Sequence, residues 1–406
     1  MTQPAYKAAL IAAVLAVGAM GLTTQSMAAQ QVSAAVAKQL DAANKAVKAQ
    51  KWDEAVVKLR EVQGISGRTP HDTYVMNQLL SYALFRQNKF ADAITALESN
   101  LRSGLASTSE KNQINKQLLP MYYGQKNYAK TIEIGQTLIA AGAADDGTYS
   151  AISQSYEKQG KLGEAIKFVK ERLAASAARG AKPSENDLLL LLDYQRRLKD
   201  DKGEADTFQR LVSYYPKSDY WLNIIQSIKN APGNSDQLTL QIFRLMRSTN
   251  TLTRPADITE MAQLAKEQNS AGEALGVLDQ AIKAKVFTEE REQASSGRLM
   301  ASLTKQVADD RAKIEAEAGA AKTGDQLVVV GQRYYGLAEY DKAVDALKRG
   351  ITAGGLTVTT PEDAQMLIGI AQLRAQKNAD AAAAFKAVKG NPKFVKLANL
   401  WGIIAG

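Results

Sequence analysis

The clearest alternation of apolar and polar positions runs through Thr323–Gly355, TGDQLVVVGQRYYGLAEYDKAVDALKRGITAGG. Leu327, Val330, Tyr334 and Leu337 fall at i, i+3, i+7 and i+10, and Tyr340, Ala343, Val344 and Leu347 at i, i+3, i+4 and i+7. Each set makes one apolar stripe on a helix of 3.6-residue period. The pattern predicts a helical hairpin that Gly354-Gly355 brings to a stop. Gly331 and Ala343 are small where the two helices must cross closely. A lone hairpin cannot bury so apolar a face, so it requires neighbours above and below.

The same pattern recurs along the chain. Val32–Ala49 precedes Trp52, Ala55, Val56 and Leu59; Tyr74–Gln87 precedes Phe90, Ala93, Ile94 and Leu97. Further copies centre on Thr131, on Ala165 and, between Asp187 and Tyr214, on Ala205. The small residues Ala55, Ala93, Thr131, Ala165 and Ala205 are spaced by 38, 38, 34 and 40 residues, and Ala343 and Ala381 by 38. Intervals of 69 residues on either side of Ala274 leave room for degenerate units around Tyr220–Met246 and Glu289–Gly319. The total is about ten units at a period close to that of helical-hairpin repeats.

Two segments, Gly331…Tyr334…Tyr340…Ala343…Leu347 and Gly369…Asn378…Ala381…Phe385, resemble tetratricopeptide repeats. The resemblance extends over the chain after its N-terminal leader. It implies an all-α, right-handed solenoid whose first helices line a concave, protein-binding groove. A shorter stretch, Tyr215–Leu222 followed by Leu252-Thr253 and Met261–Ala265, is similar to exported proteobacterial repeat proteins, some of which accompany TonB-type envelope systems.

Residues 1–28 read as a secretory leader. Ala8–Leu22 is apolar but shorter than the about 20 residues that span a bilayer. Ser26-Met27-Ala28 places cleavage after Ala28. The other reading of this segment is a retained anchor. Residues 29–178 then hold about four hairpins, 179–390 about six, and 391–406 a capping helix in which Phe394, Leu397, Trp401 and Ile404 share a face. Ala174–Asn186 and Asn230–Ser235 are breaks rich in Gly, Pro and polar residues.

Composition narrows the chemistry. The net charge is +9, without a Lys/Arg block, which argues against nucleic acid as ligand. With no cysteine there is no disulfide, thiol nucleophile or lipid attachment site. Together with the leader this points to a Gram-negative periplasm. The one histidine, His71, has no second His or any Cys with which to share a metal. Ser155–Lys158, Ser184–Asn186 and Lys322–Gly324 follow the order of a penicillin-recognising signature, but they fall on a repeat helix and on turns. No cofactor is implied and no enzyme is expected.

The expected function is therefore a non-catalytic periplasmic scaffold that holds a peptide or protein in its groove. An accessory subunit of an envelope machine is the alternative, and a cell-wall enzyme is a more remote one. The offsets put Gln78, Tyr82 and Phe85, then Gln113, Lys116 and Tyr123, then Ser150, Gln154 and Glu157, and finally Gln332 and Tyr335 on the inward face. Aromatic rings beside amides suit an extended peptide, through stacking and backbone hydrogen bonds. The competing role for each ring is packing between adjacent units. Pro120, inside the third unit's first helix, is expected to bend it.

Overall fold

The computed structural model describes residues 31–406. The leader lies outside the described residues. Those described are all-α, with 20 helices and no strand. In chain order these are α1 (Ala34–Lys48), α2 (Trp52–Gly64), α3 (Pro70–Arg86), α4 (Phe90–Arg102), α5 (Thr108–Gly124), α6 (Tyr128–Ala140), α7 (Asp146–Lys158), α8 (Leu162–Ala178), α9 (Glu185–Arg197) and α10 (Asp201–Tyr214). Then follow α11 (Ser218–Lys229), α12 (Asp236–Ser248), α13 (Pro255–Glu267), α14 (Ala271–Lys283), α15 (Glu290–Ala320), α16 (Gly324–Gly336), α17 (Tyr340–Ala353), α18 (Pro361–Arg374), α19 (Asn378–Lys386) and α20 (Pro392–Ala405).

The hairpins close by one repeated turn. A residue in the left-handed conformation follows the first helix: Gln50, Asn88, Lys126, Gly160, Asn269, Ala338 or Gln376. The next N–H then reaches back over the helix end, as in Lys51 N to Ala46 O, Lys89 N to Leu84 O, Asn127 N to Tyr122 O and Glu339 N to Tyr334 O, each at 2.9 Å. This Schellman-type closure satisfies carbonyls that a helix end leaves open. First helices start differently. Thr69 with Asp72, Ser107 with Glu110, Asp145 with Thr148, and Thr323 with Gln326 form capping boxes.

Small residues set the crossing distances. A Cβ on Gly331 would stand 2.6 Å from Leu347 Cγ, and one on Gly369 2.5 Å from Phe385 Cε1. Ala55, Ala93, Thr131, Ala165, Ala274, Ala343 and Ala381 are all fully buried. Ala205 is only half-buried, and the buried small residue of that helix is Gly203. Counted from the left-handed Lys199 as in the other hairpins, the small position falls on Glu204, so the 40-residue spacing came from a register one residue too late. α5 runs on through Pro120, with Leu118, Leu119 and Met121 buried around it.

The chain divides into two compact units. Unit 1 comprises residues up to Ala181 with Asp193–Leu198, and unit 2 comprises Lys182–Leu192 with Lys199–Gly406. In unit 1, α1 to α8 stack as four hairpins, with α1 against α3 and α5 against α7. Asp72 ties its start together. This buried carboxylate accepts the Ser33 N–H and hydroxyl at 2.8 and 2.7 Å and the Thr69 N–H at 2.8 Å. Burial pushes the carboxyl up, but these donors outweigh it and hold it at about 2. Its folded pKa lies below the unfolded value of about 3.9, so the stability it supplies is complete above that value. That stability is lost as pH falls from about 4 to about 2. Urea denaturation of Asp72→Ala is expected to show a flatter dependence on pH than the native chain across that window, and a lower midpoint above it.

Unit 2 departs from the repeat in two ways. The unit placed around Glu289–Gly319 is not a hairpin: α15 is a single helix of 31 residues, about 46 Å long. Spacing alone could not distinguish one long helix from two short ones. The second departure is closure. α12 packs against α18 and α20 as well as its sequence neighbours. Leu238, Leu240, Ile242, Phe243, Leu245 and Met246 are therefore buried all round its circumference. Polar links reinforce this, from Gln241 Nε2 to Asp363 Oδ1 at 2.7 Å and from Lys393 Nζ to Pro232 O at 2.5 Å. Trp401 of α20 stacks on Phe385 at 5.7 Å, and α20 also packs against α12.

Candidate functional site

The residues expected on the inward face separate by unit. In unit 1 they lie on the first helices α3, α5 and α7. Gln78 and Gln113 are exposed, while Tyr82, Phe85, Lys116, Tyr123, Gln154 and Glu157 are half-buried. The rings pack across their own hairpin turns. Tyr82 meets Trp52 edge-on at 5.6 Å, Phe85 meets Phe90 at 5.7 Å, and Tyr123 meets Tyr128 at 5.6 Å. Each ring therefore has a packing partner across its turn, and each stays half-buried rather than fully enclosed.

Polar contacts join the neighbouring helices. The Tyr123 hydroxyl donates to Gln154 Oε1 at 3.1 Å. Lys116 Nζ lies 3.8 Å from Asp145 Oδ2 at the start of α7. Glu157 accepts from Arg197 Nη1 at 2.7 Å. α5 and α7 thus present one joined surface: a ring edge, an amide, an ammonium group and a neutralised carboxylate. Such a set can hold an extended backbone, through amide hydrogen bonds and contact with ring edges.

In unit 2 the expected face does not exist. Gln332 and Tyr335 are buried, at 4% and 6% exposure, rather than open. Asn269 Nδ2 donates to Gln332 Oε1 at 3.1 Å, and the Ser270 hydroxyl to the Gln332 carbonyl at 3.2 Å. The Tyr335 hydroxyl donates to Glu273 Oε1 at 3.3 Å. The physical reason is that α14 and α12 occupy the space in front of α16, where an open solenoid would leave a groove.

The centre of that contact was not anticipated from the sequence. Arg244 donates through Nε to both Glu273 oxygens at 3.0 and 3.1 Å, and through Nη2 to Oε2 at 2.7 Å. Both side chains are buried, at 3% and 4% exposure, and the guanidinium lies 5.1 Å from the Tyr335 ring centre. Burial by itself would push the guanidinium down, but Glu273 more than reverses this. Burial, then Glu273, pushes the Tyr335 phenol up. The available signal was an arginine inside the apolar run Leu240–Met246. An arginine there has to find an anion or distort the helix.

His71 sits at the second position of α3 and is half-buried. Ser155 is buried within α7 while Lys158 faces solvent, and Thr323 caps α16. Among the described residues no three His, Asp or Glu side chains converge as metal ligands. No described helix is long and apolar enough to cross a membrane.

No protein-family model and no curated protein matches this sequence. Among solved structures, it is similar to a tetratricopeptide repeat protein from Parabacteroides merdae ATCC 43184, at 11% identity over 84% of this chain and 100% of that one, with a TM-score of 0.36. It is similar to the pentatricopeptide repeat protein PPR10 from maize at 13% identity, over 97% of this chain and 66% of that one, with a TM-score of 0.34. It is also similar to yeast Tom70 at 9% identity, over 91% and 95%, with a TM-score of 0.27. The functional reading below rests on the geometry of the chain itself.

Proposed function

We propose that this protein is a non-catalytic scaffold that holds an extended segment of a protein partner against the first-helix face of unit 1. Its setting in this reading is the periplasm, reached by a leader removed after Ala28. One observation carries the reading: α3, α5 and α7 keep amides and ring edges accessible, whereas the matching residues of unit 2 are consumed by internal contacts. Gln78 and Gln113 in particular are exposed polar side chains on a face otherwise braced by ring pairs.

The test is comparative capture from an envelope extract, using the native chain and Tyr82→Ala/Gln154→Ala. The native chain is expected to enrich a defined partner that the double variant loses, with both proteins melting within a few degrees of each other. Equal recovery by the two would overturn the face assignment. Intact mass of the exported protein checks the setting, with Ala29 expected as first residue.

A further inference from the structure

The hairpin turns of unit 1 carry more positive charge than helix formation wants. Two residues before the left-handed position stand Lys48, Arg86 and Lys158; in the third hairpin the left-handed residue is itself Lys126. Cations at the end of a helix are favoured by its dipole, so these alone say little. The residue after the turn is different. Lys51, Lys89 and Lys161 are the N-caps of α2, α4 and α8, and none makes a side-chain cap hydrogen bond. Lysine has no acceptor oxygen, and it places a cation at the positive end of the helix dipole.

The backbone does not force this choice. Asn127 holds the same position of the third hairpin with φ −83° and ψ 69°, and accepts the Lys130 N–H at 3.2 Å. Lys51, at φ −87° and ψ 73°, has nearly the same backbone. An asparagine or aspartate would therefore cap each helix, yet lysine stands there three times. Only Lys51 has a local partner, Glu54 at 3.5 Å; for Lys89 and Lys161 helix stability gives no reason, while an anionic ligand does.

The turns also line one edge. Arg86 lies 5.1 Å from the Trp52 ring centre, and Gln87 Nε2 donates to Asp53 Oδ1 at 2.8 Å, joining the second turn to the first. Arg197 reaches Glu157 beside the fourth. Lys89, Lys158 and Lys161 form no ion pair among the described residues, and Lys51 is 3.5 Å from Glu54. In unit 2 one turn reads Glu267-Gln268-Asn269-Ser270 and another ends in Glu339; the α18–α19 turn repeats the pattern with Arg374 and the uncapped Lys377, but there the lysine is paired with Asp341 at 2.6 Å.

We infer that the hairpin-turn edge of unit 1 binds an extended acidic segment of a partner polypeptide. Stacked helices lie about 10 Å apart. An extended chain advances about 3.3 Å per residue, so a carboxylate at every third position keeps pace with the turns. Beside the lysines stand the exposed Gln125 and the half-buried Gln159, while the Gln87 amide is held by Asp53. This inference shares with the scaffold reading only the assumption of a polypeptide ligand, and it uses neither Tyr82 nor Gln154.

The experiment is fluorescence anisotropy of the full chain with a labelled peptide repeating Glu-Gly-Gly. The variant K51N/K89N/K161N is expected to melt higher, because each asparagine supplies the missing cap. It is expected at the same time to bind about tenfold more weakly, with a flatter salt dependence. A purely structural role cannot move stability and binding in opposite directions. Tyr82→Ala/Gln154→Ala is expected to bind this peptide like the native chain, so failure of the face and failure of the edge are told apart. Unchanged affinity in the triple variant would overturn the proposal. So would tighter binding of the native chain to single-stranded DNA or to phosphatidylglycerol vesicles than to the peptide at equal salt.

Discussion

Arg244→Met is expected to destabilise unit 2 by about 3–5 kcal/mol, the cost of stranding a buried carboxylate. Glu273 would keep only the Tyr335 hydroxyl at 3.3 Å as partner, in a site 4% exposed. Methionine follows the arginine stem but offers no donor. Removing both charges, as in Arg244→Met/Glu273→Leu, is expected to restore most of the loss, because well-packed apolar replacements of a buried ion pair are often neutral. Urea denaturation of the native chain, both single variants and the double variant completes the cycle. A single-variant cost below about 1 kcal/mol would mean that water reaches the pair, as it does in exposed ones. The pair requires α12, α14 and α16 to meet in one register, since a guanidinium fork aligns with a carboxylate only over a narrow range of positions.

The second large effect concerns the backbone that sets this register. Gly272 of α14 lies against Gly336 of α16. A Cβ on Gly272 would overlap the Gly336 carbonyl oxygen and stand 2.6 Å from its carbon. No rotamer change relieves a clash between two backbones, so the helices would have to part. Gly272→Ala is expected to cost at least about 1–3 kcal/mol, the range for overpacked cores. Gly276, one turn further along α14, has only Arg247 Nη2 as a neighbour, at 4.0 Å. Gly276→Ala is therefore expected to stabilise by about 0.5–1 kcal/mol through helix propensity. Urea midpoints of the two variants should move in opposite directions. If both moved upward, α14 and α16 would not be in contact as described.

The hairpin unit itself was legible. Its apolar period, the small residues at Ala55, Ala93, Ala165 and Ala343, and the stop at Gly354-Gly355 all follow from interactions within a few residues. Failures came where the local signal was weak. The fifth unit's register slipped by one residue at Ala205 because Glu204 holds the position that is small in the other units. The eighth unit was placed by spacing alone and proved to be one continuous helix, because spacing counts residues without finding the turn between them.

What the sequence determined by itself is the repeated element, the all-α class and the pairs of helices that form it. Periodicity, capping and turn chemistry act at short range, and each copy states them again. What only the tertiary structure decided is which faces stay open. Gln332 and Gln154 occupy the same place in their units, yet one is buried under α14 and the other lies beside solvent. That difference depends on a contact such as Gln241 to Asp363, whose partners lie 122 residues apart in the chain. A helical period tells which side of a helix is apolar or polar, but not which distant segment arrives to cover it.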